Sequence, residues 1–475
     1  MERLTSFVQE HIADDTSRLI LNRAKWPDID MDLAVNCIES RRKLRGKVQE
    51  WADNPDLIFP RKLSAEQCSS SATGDYKSEL AVKIFLNGES GKVSQIQKRD
   101  MRLADLTGGL GVDCWFFSRR AELVLYCEML PELCKAAEHN FQMLGAENII
   151  VSNYAVSSDE KSSLANFQIP PLALSSFGDD VMSSEVETSI FRTPEGILKD
   201  FHPDVVYMDP ARRGEGGKKV FLIEDCTPDV LTLKDDIFRF SRHILLKLSP
   251  MADISMVCDR LGKCCREVHV VAAGGECKEL LVWMDREWEE EYSVHAVELH
   301  KDGSRAVFSF RPSEERIAGQ AGNDVRGICC QDDSGKYLFE PGKALMKAGS
   351  YNLIAEKFSI NKLGRSTHYY IYDASCKGQT EDISPCNESK EQTSIEELQK
   401  FGKVFRIISC SSLDKRSLKA AGKEYPHSEV TARNISMDTD TLRKKAGVTS
   451  GDDAHIFGLK SDSEGALLFI TTPLA

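Results

Sequence analysis

No run of apolar residues in this 475-residue chain approaches the roughly 20 that a helix needs to cross a bilayer. The opening stretch MERLTSFVQEHIADD lacks the apolar core of a secretory signal, so a soluble, cytoplasmic protein with no membrane partner is expected. The motif C-x-x-C is missing as well. Of 15 cysteines the only close pairs are the adjacent Cys264-Cys265 and Cys329-Cys330, a spacing that suits neither a zinc ribbon nor a redox dithiol. No metal is expected, and the odd thiol count suits a reducing compartment. Nor is there a surplus of positive charge. The formal net charge is -13 and the pI is near 5.4, which excludes general attraction of the whole chain to phosphates.

The acidity is uneven, however. Residues 1–100 hold 16 basic and 16 acidic side chains and 401–475 hold 11 and 9, which leaves a charge of -15 on residues 101–400. Basic clusters sit at the two ends, at Arg41 to Lys47, Asp414 to Lys423 and Leu442 to Gly447. Each is either a few phosphate contacts or an ordinary solvated helix face.

The most informative stretch is DLTGGLGVD, Asp105 to Asp113. A carboxylate at the end of a short strand, followed by glycines and an amphipathic segment, describes a strand-turn-helix whose backbone approaches a ligand closely. The next buried strand, Leu123 to Cys127, ends on Glu128. An acid there suits both ribose hydroxyls of an adenosine. NAD and S-adenosylmethionine both fit so far. The dinucleotide fingerprint G-x-G-x-x-G needs a third glycine, and after Gly109 and Gly111 it is absent. Asp105 suits a cationic amino group and sulfonium and would repel a pyrophosphate, so S-adenosylmethionine is the expected cofactor. The cofactor contacts expected are Asp105, Thr107, Gly109, Gly111, Glu128, Asn153 and Asp209. Another buried strand, Asp204 to Met208, runs into Asp209-Pro210-Ala211-Arg212-Arg213.

EQCSSSATGDYK (Glu66 to Lys77), DLTGGLGVD, DVVYMDPARR, LLKLSPMADI (Leu245 to Ile254), GGECKELL (Gly274 to Leu281), YLFEPGKALMKAG (Tyr337 to Gly349) and the stretch Val430 to Phe457 together resemble a bacterial family of class I methyltransferases. That family carries a ferredoxin-like module and a C-terminal THUMP-like domain, and the resemblance covers nearly the whole chain. It implies an α/β fold, a Rossmann-like class I methyltransferase sheet with an N-terminal helical domain and C-terminal α+β modules. It further implies RNA, tRNA or rRNA, as substrate and partner, because THUMP domains are associated with RNA recognition in modification enzymes. Asp209-Pro210 resembles the motif D-P-P-Y of enzymes that methylate nucleic-acid bases. Ala211 and Arg212 depart from it, which removes the usual stacking aromatic.

The expected catalytic residues are accordingly Asp209, Pro210 and Arg212. Arg213, Tyr76 and Lys77 are expected at the substrate, the last two as lid or substrate contacts, or else within a capped helix. Asn153 and Tyr154 end the third strand, where a polar side chain meets the adenine amine and a flat one the ring. Cys277 is a minor candidate for a nucleophile, and Lys247, Glu276 and Lys278 are weaker still.

With 41% hydrophobic residues the chain exceeds one ordinary core. Four parts are expected: a helical cap over 1–92, the methyltransferase domain over 93–286, an α+β module with a polar linker over 287–400, and a THUMP-like domain over 401–475. Strands are expected near 101–105, 123–127, 148–152, 204–208, 243–248, 267–272 and 280–285. The stretch 168–199 reads as an irregular insertion. A protein or small-molecule methyltransferase, and an RNA-binding protein with a decayed site, are the alternative functions. Nothing in the sequence indicates the oligomeric state.

Overall fold

The computed structural model describes residues 2–88, 100–154, 194–212, 223–320, 335–374 and 394–474. Most of the expected insertion and of the polar linker, and Arg213, lie outside these residues. The chain forms two compact units, one of residues 1–268 with 278–290, the other of 269–277 with 291–475.

The first unit begins with helices α1 (Glu2–Glu10), α2 (Thr16–Leu21), α3 (Met31–Leu44), α4 (Gln49–Asp53), α5 (Lys62–Gln67) and α6 (Ser71–Gly88). Asp15 and Asp30 cap α2 and α3 by accepting main-chain N–H bonds, as short acidic side chains do at such ends. Buried Arg41 donates to the carbonyls of Ala52, Asn54, Pro55 and Leu57, so one guanidinium organises the turn after α4.

The sheet that follows is built from β1 (Arg102–Asp105), β2 (Leu123–Glu128), β3 (Ile149–Asn153), β4 (Val205–Met208), β7 (His243–Leu248), β8 (Cys265–Ala273) and β9 (Glu276–Asp285). Two short strands, β5 (Ala211–Arg212) and β6 (Cys226–Thr227), pair separately. The order β9-β7-β4-β1-β2-β3 reverses direction of growth at β1 and β4. All pairs from β3 to β7 are parallel, and β9 alone joins antiparallel to β7. This is the doubly wound topology, in which ligands bind where the strand order reverses, beyond the carboxyl ends of the strands. All seven expected strands are present. The central ones are buried on both faces, which is why they read as apolar runs rather than alternations. Helices α7 (Val112–Ser118) and α8 (Pro131–Met143) follow β1 and β2. The side-chain amide of Asn140 on α8 exchanges two 2.8 Å hydrogen bonds with the backbone of Ile58, which ties the N-terminal helices to the sheet.

In the second unit, β10 (Ser293–Leu299) and β11 (Arg305–Phe310) form the expected hairpin, turning through Gly303 at φ +84°. Its larger sheet contains β12 (Lys336–Pro341), β13 (Asn361–Lys362), β14 (Tyr370–Asp373), β15 (Gly402–Ser412), β16 (His427–Arg433), β17 (Thr449–Ser461) and β18 (Gly465–Pro473), in the order β13-β14-β12-β15-β18-β17-β16. Alternate residues of the long strands feed two cores. Phe457 and Phe469 face Leu338, Ile371 and Phe405, while Ile456 and Leu468 face the helices Lys415–Glu424 and Thr439–Ala446. The pairing of β12 with β15 makes one sheet of these strands, so the expected border at residue 401 runs between hydrogen-bonded neighbours. Among the described residues no helix is long and apolar enough to cross a membrane.

Candidate functional site

The turn after β1 is fixed by sterics. Gly111 adopts φ +91°, and a Cβ on it would stand 2.7 Å from the Phe141 ring. At Gly108 a Cβ would fall 2.2 Å from the ring of Tyr126. The Tyr126 hydroxyl donates to the Gly109 carbonyl at 2.7 Å. The first glycine of the motif is thus required by packing on an aromatic, a need that spacing alone does not expose.

Carboxylates then hold the loop. Glu128, half-buried at the end of β2, accepts the Gly109 N–H on one oxygen and the Leu130 N–H on the other, both at 2.9 Å. About half of the roughly four acceptor positions of a carboxylate remain for a ligand. Asp105 accepts the N–H and hydroxyl of Thr107 (2.9 and 3.2 Å) and the Cys114 thiol (3.2 Å). Burial pushes its pKa up to about 7, with the Thr107 N–H opposing. Thr107 also accepts the main-chain N–H of Asp209 at 2.6 Å. One hydroxyl therefore links the ends of β1 and β4.

These residues border a cleft of about 960 Å³ lined by Asp105, Thr107, Gly109, Gly111, Glu128, Tyr154 and Asp209 together with Arg61, Leu63 and Cys68 from the N-terminal helices. It opens at the carboxyl ends of β1, β2 and β4, where the strand order reverses. The cleft is large enough for a nucleoside-sized ligand. An acid at the end of β2, a glycine turn against the cleft and a second acid beneath it fit an adenosine bearing a cationic tail.

Behind Asp209 lies a cluster of charged groups. The Lys247 ammonium, on β7, is 2.6 Å from Asp209 Oδ2, 3.5 Å from Ser69 Oγ and 4.0 Å from Glu279. Lys77 Nζ reaches Ser69 Oγ at 2.6 Å, both oxygens of Glu279 at 2.9 and 3.0 Å, and Asp113 at 3.3 Å. The Ser69 and Tyr207 hydroxyls both donate to Asp113 Oδ2, at 3.0 and 2.8 Å. Burial opposes ionisation of Asp113, but Lys77 and Lys247 outweigh it and hold the carboxyl below its ordinary range. At Glu279 burial wins and the carboxyl is raised. Burial also disfavours charge on Lys247, yet Asp209, Asp113 and Glu279 hold its pKa above the ordinary value.

Three of the expected contacts lie away from the cleft lining. Lys77, expected as a lid or substrate contact or within a capped helix, has a side chain that is 0% exposed on helix α6, with its ammonium bound to Glu279, Asp113 and Ser69. Tyr76, its neighbour on α6, is buried too. Asn153 does not line the cleft. Its amide donates to the Glu128 carbonyl at 2.9 Å and fastens the end of β2, while Tyr154 takes the position at the cleft. Arg212 is described in its backbone alone, paired with Cys226. Cys277 is half-buried and outside the cleft lining.

Sequence pattern does not bring Ser69, Asp113 and Glu279 into one cluster and gives Lys247 only a minor place. The signal for the charged members is a single Lys within the apolar run Ile244 to Leu248, and a single Glu heading Leu280 to Met284. A charge on a strand buried on both faces needs a partner.

Residues 337–377 match a family described as a ferredoxin-like domain, and 402–473 match one described as THUMP domain-like. No curated protein matches the chain. Among solved structures, a protein from Porphyromonas gingivalis provisionally described as a methyltransferase aligns over 100% of this chain and 98% of its own, at 25% identity and a TM-score of 0.71. Another provisional methyltransferase, from Streptococcus mutans in complex with SAH, covers 44% of this chain and 96% of its own at 12% identity. Its TM-score of 0.25 is too low to carry an inference. With a doubly wound sheet ahead of these two domains in the chain and one structure alike over the whole length, the chain has the class I methyltransferase fold together with a ferredoxin-like and a THUMP-like domain.

Proposed function

We propose that the protein transfers a methyl group from S-adenosylmethionine to a base of RNA, tRNA or rRNA. One observation carries the reading: a single cleft is bordered by the glycine turn, by Asp105 and Glu128, and by Asp209 at the end of β4, with Thr107 hydrogen-bonded to both Asp105 and Asp209. Glu128 receives the ribose hydroxyls and Asp105 favours the cationic tail. Asp209-Pro210 orients the nucleophile for in-line attack on the methyl group, which requires near-attack placement rather than strong chemistry from the protein. Arg212 stands where the motif D-P-P-Y has its aromatic, and with Arg213 it supplies a planar cation for a base or phosphate.

The RNA part rests on the THUMP-like match and on the exposed Lys415, Arg416, Lys419, Lys423, Lys444 and Lys445 of two adjoining helices. These helices cross so closely that a Cβ on Gly422 would overlap the Ala446 carbonyl. In this reading the four expected parts divide the work, with 93–286 as the catalytic domain and 401–475 as the RNA-holding one. The charge of -15 over residues 101–400 favours a second reading, a protein or small-molecule substrate.

Calorimetric titration with S-adenosylmethionine and S-adenosylhomocysteine, followed by tritiated methyl transfer to RNA from cells lacking the gene, tests both. Label in RNA is the expected result. Cofactor binding with label only in protein extract would transfer the assignment to the second reading, and no cofactor binding would refute the enzyme.

A further inference from the structure

We propose that Lys247 is a positioning residue: it clamps one carboxylate oxygen of Asp209 so that the other faces the cleft as an oriented acceptor for the attacking group. The inference rests on reading the cleft as a methyl-transfer site, but the clamp itself is a property of the protein alone.

Asp209 is held at both ends. Its main-chain N–H is bound by Thr107 at 2.6 Å, and Oδ2 by Lys247 at 2.6 Å. Among the described residues Oδ1 takes no hydrogen bond, although the side chain is 37% exposed and lines the cleft. A carboxylate with one oxygen fixed and the other open has a defined lone-pair direction, which a freely rotating surface aspartate lacks.

The division between the two lysines argues against a merely structural salt bridge. Glu279, 3% exposed, is the carboxylate most in need of a cation, and Lys77 supplies it on both oxygens. Lys247 lies 4.0 Å from Glu279 but 2.6 Å from Asp209, the most solvent-accessible acid of the group. One ammonium thus neutralises the interior while the other is aimed outward. Asp113, with Lys77, Ser69 and Tyr207 about it, forms the rear wall.

Lys247 from β7 pairs with Asp209 and Tyr207 from β4 lies within reach of its charge, while Asp113 from α7 and Glu279 from β9 act on Lys247 and are themselves paired with Lys77 from α6. With every carboxyl ionised the cluster Asp209, Asp113, Glu279, Lys77 and Lys247 carries one net negative charge. Without Lys247 it carries two, and Oδ2 of Asp209 loses the cation that holds it.

The test compares wild type with Lys247→Met, Lys247→Gln and Lys247→Arg, in protein carrying carboxyl-13C aspartate whose Asp209 resonance is assigned by its loss in Asp209→Asn. The Asp209 carboxyl resonance is expected to move in the Met and Gln variants and to stay near its native position in the Arg variant. In parallel, kcat for methyl transfer should fall roughly a hundredfold in Lys247→Met, as for a misplaced reacting group. The Arg variant should restore much of that rate, and the cofactor Kd should change little. An Asp209 resonance that Met and Gln leave unmoved, or a loss of folding stability with kcat unchanged, would overturn the proposal. If wild type binds no cofactor and transfers no methyl group, the functional reading fails, and the carboxyl resonance still decides whether Lys247 clamps Asp209.

Discussion

The Lys77 ammonium spans both carboxylate oxygens of Glu279, at 2.9 and 3.0 Å, although 202 residues separate the two in sequence. The pair is sealed from solvent and joins helix α6 to strand β9, next to the residues that end at the cleft. A methyltransferase-fold sheet is thus fastened to the N-terminal helices by charge as well as by packing.

Removing one member of a buried pair leaves an uncompensated charge, which typically costs about 3–5 kcal/mol. Lys77→Met should lower the free energy of unfolding by that order, measured by urea denaturation, whereas Lys77→Met with Glu279→Leu should recover much of it. A loss below about 1 kcal/mol for the single variant, the scale of an ordinary surface substitution, would mean that the pair is not organised as described.

Asp105 makes cofactor affinity depend on pH. Its carboxyl titrates at about 7 in the folded protein, against an ordinary value of 3.8. Between these values the folded chain keeps a proton that the unfolded chain gives up, so the free protein loses stability from this group as pH rises through 7. A cationic ligand favours the ionised carboxylate, so S-adenosylmethionine should bind more tightly from about pH 6 to 7.5, with proton release on binding. Calorimetry in buffers of different ionisation enthalpy reads both. Asp105→Asn should abolish the proton release; identical release in that variant would assign it to another group.

Gly108 should not tolerate a methyl group. A Cβ 2.2 Å from the Tyr126 ring forces the ring or the loop to move, and overpacking of this kind costs typically 1–3 kcal/mol, or about that. Gly108→Ala should therefore lower Tm and weaken cofactor binding together. Combining it with Tyr126→Leu should restore part of the binding, and no restoration would place the defect elsewhere.

Glu128 and Asp209 should separate binding from chemistry. Glu128→Ala removes the acceptor of the Gly109 and Leu130 N–H groups and should weaken cofactor binding by roughly tenfold or more, as loss of a charged hydrogen bond does. Asp209→Asn should leave the cofactor Kd nearly unchanged and reduce kcat by about a hundredfold or more. Equal losses of binding and rate in the two variants would contradict the division of roles.

Strand ends were the readable part of the site. Asp105, Glu128 and Asp209 each follow a short apolar run bounded by turn residues, and a strand that is buried on both faces announces itself in that way. The loop was readable in outline, but the clash that demands Gly108 depends on where Tyr126 lies in the neighbouring strand. Asn153 ends β3, as local pattern suggests, but its amide donates to the Glu128 carbonyl one strand over, a partner that only the paired strands bring within reach.

By itself the sequence determined the doubly wound sheet, the acids at its strand ends, and the hairpin and helices that follow, because each of these depends on local periodicity and turn chemistry. Tertiary structure alone decided that Lys77 faces Glu279 rather than a substrate, and that Lys247 reaches Asp209 through a cluster assembled from α6, α7, β4, β7 and β9. Charged groups buried together choose partners by proximity and desolvation, and neither quantity exists until the chain has folded.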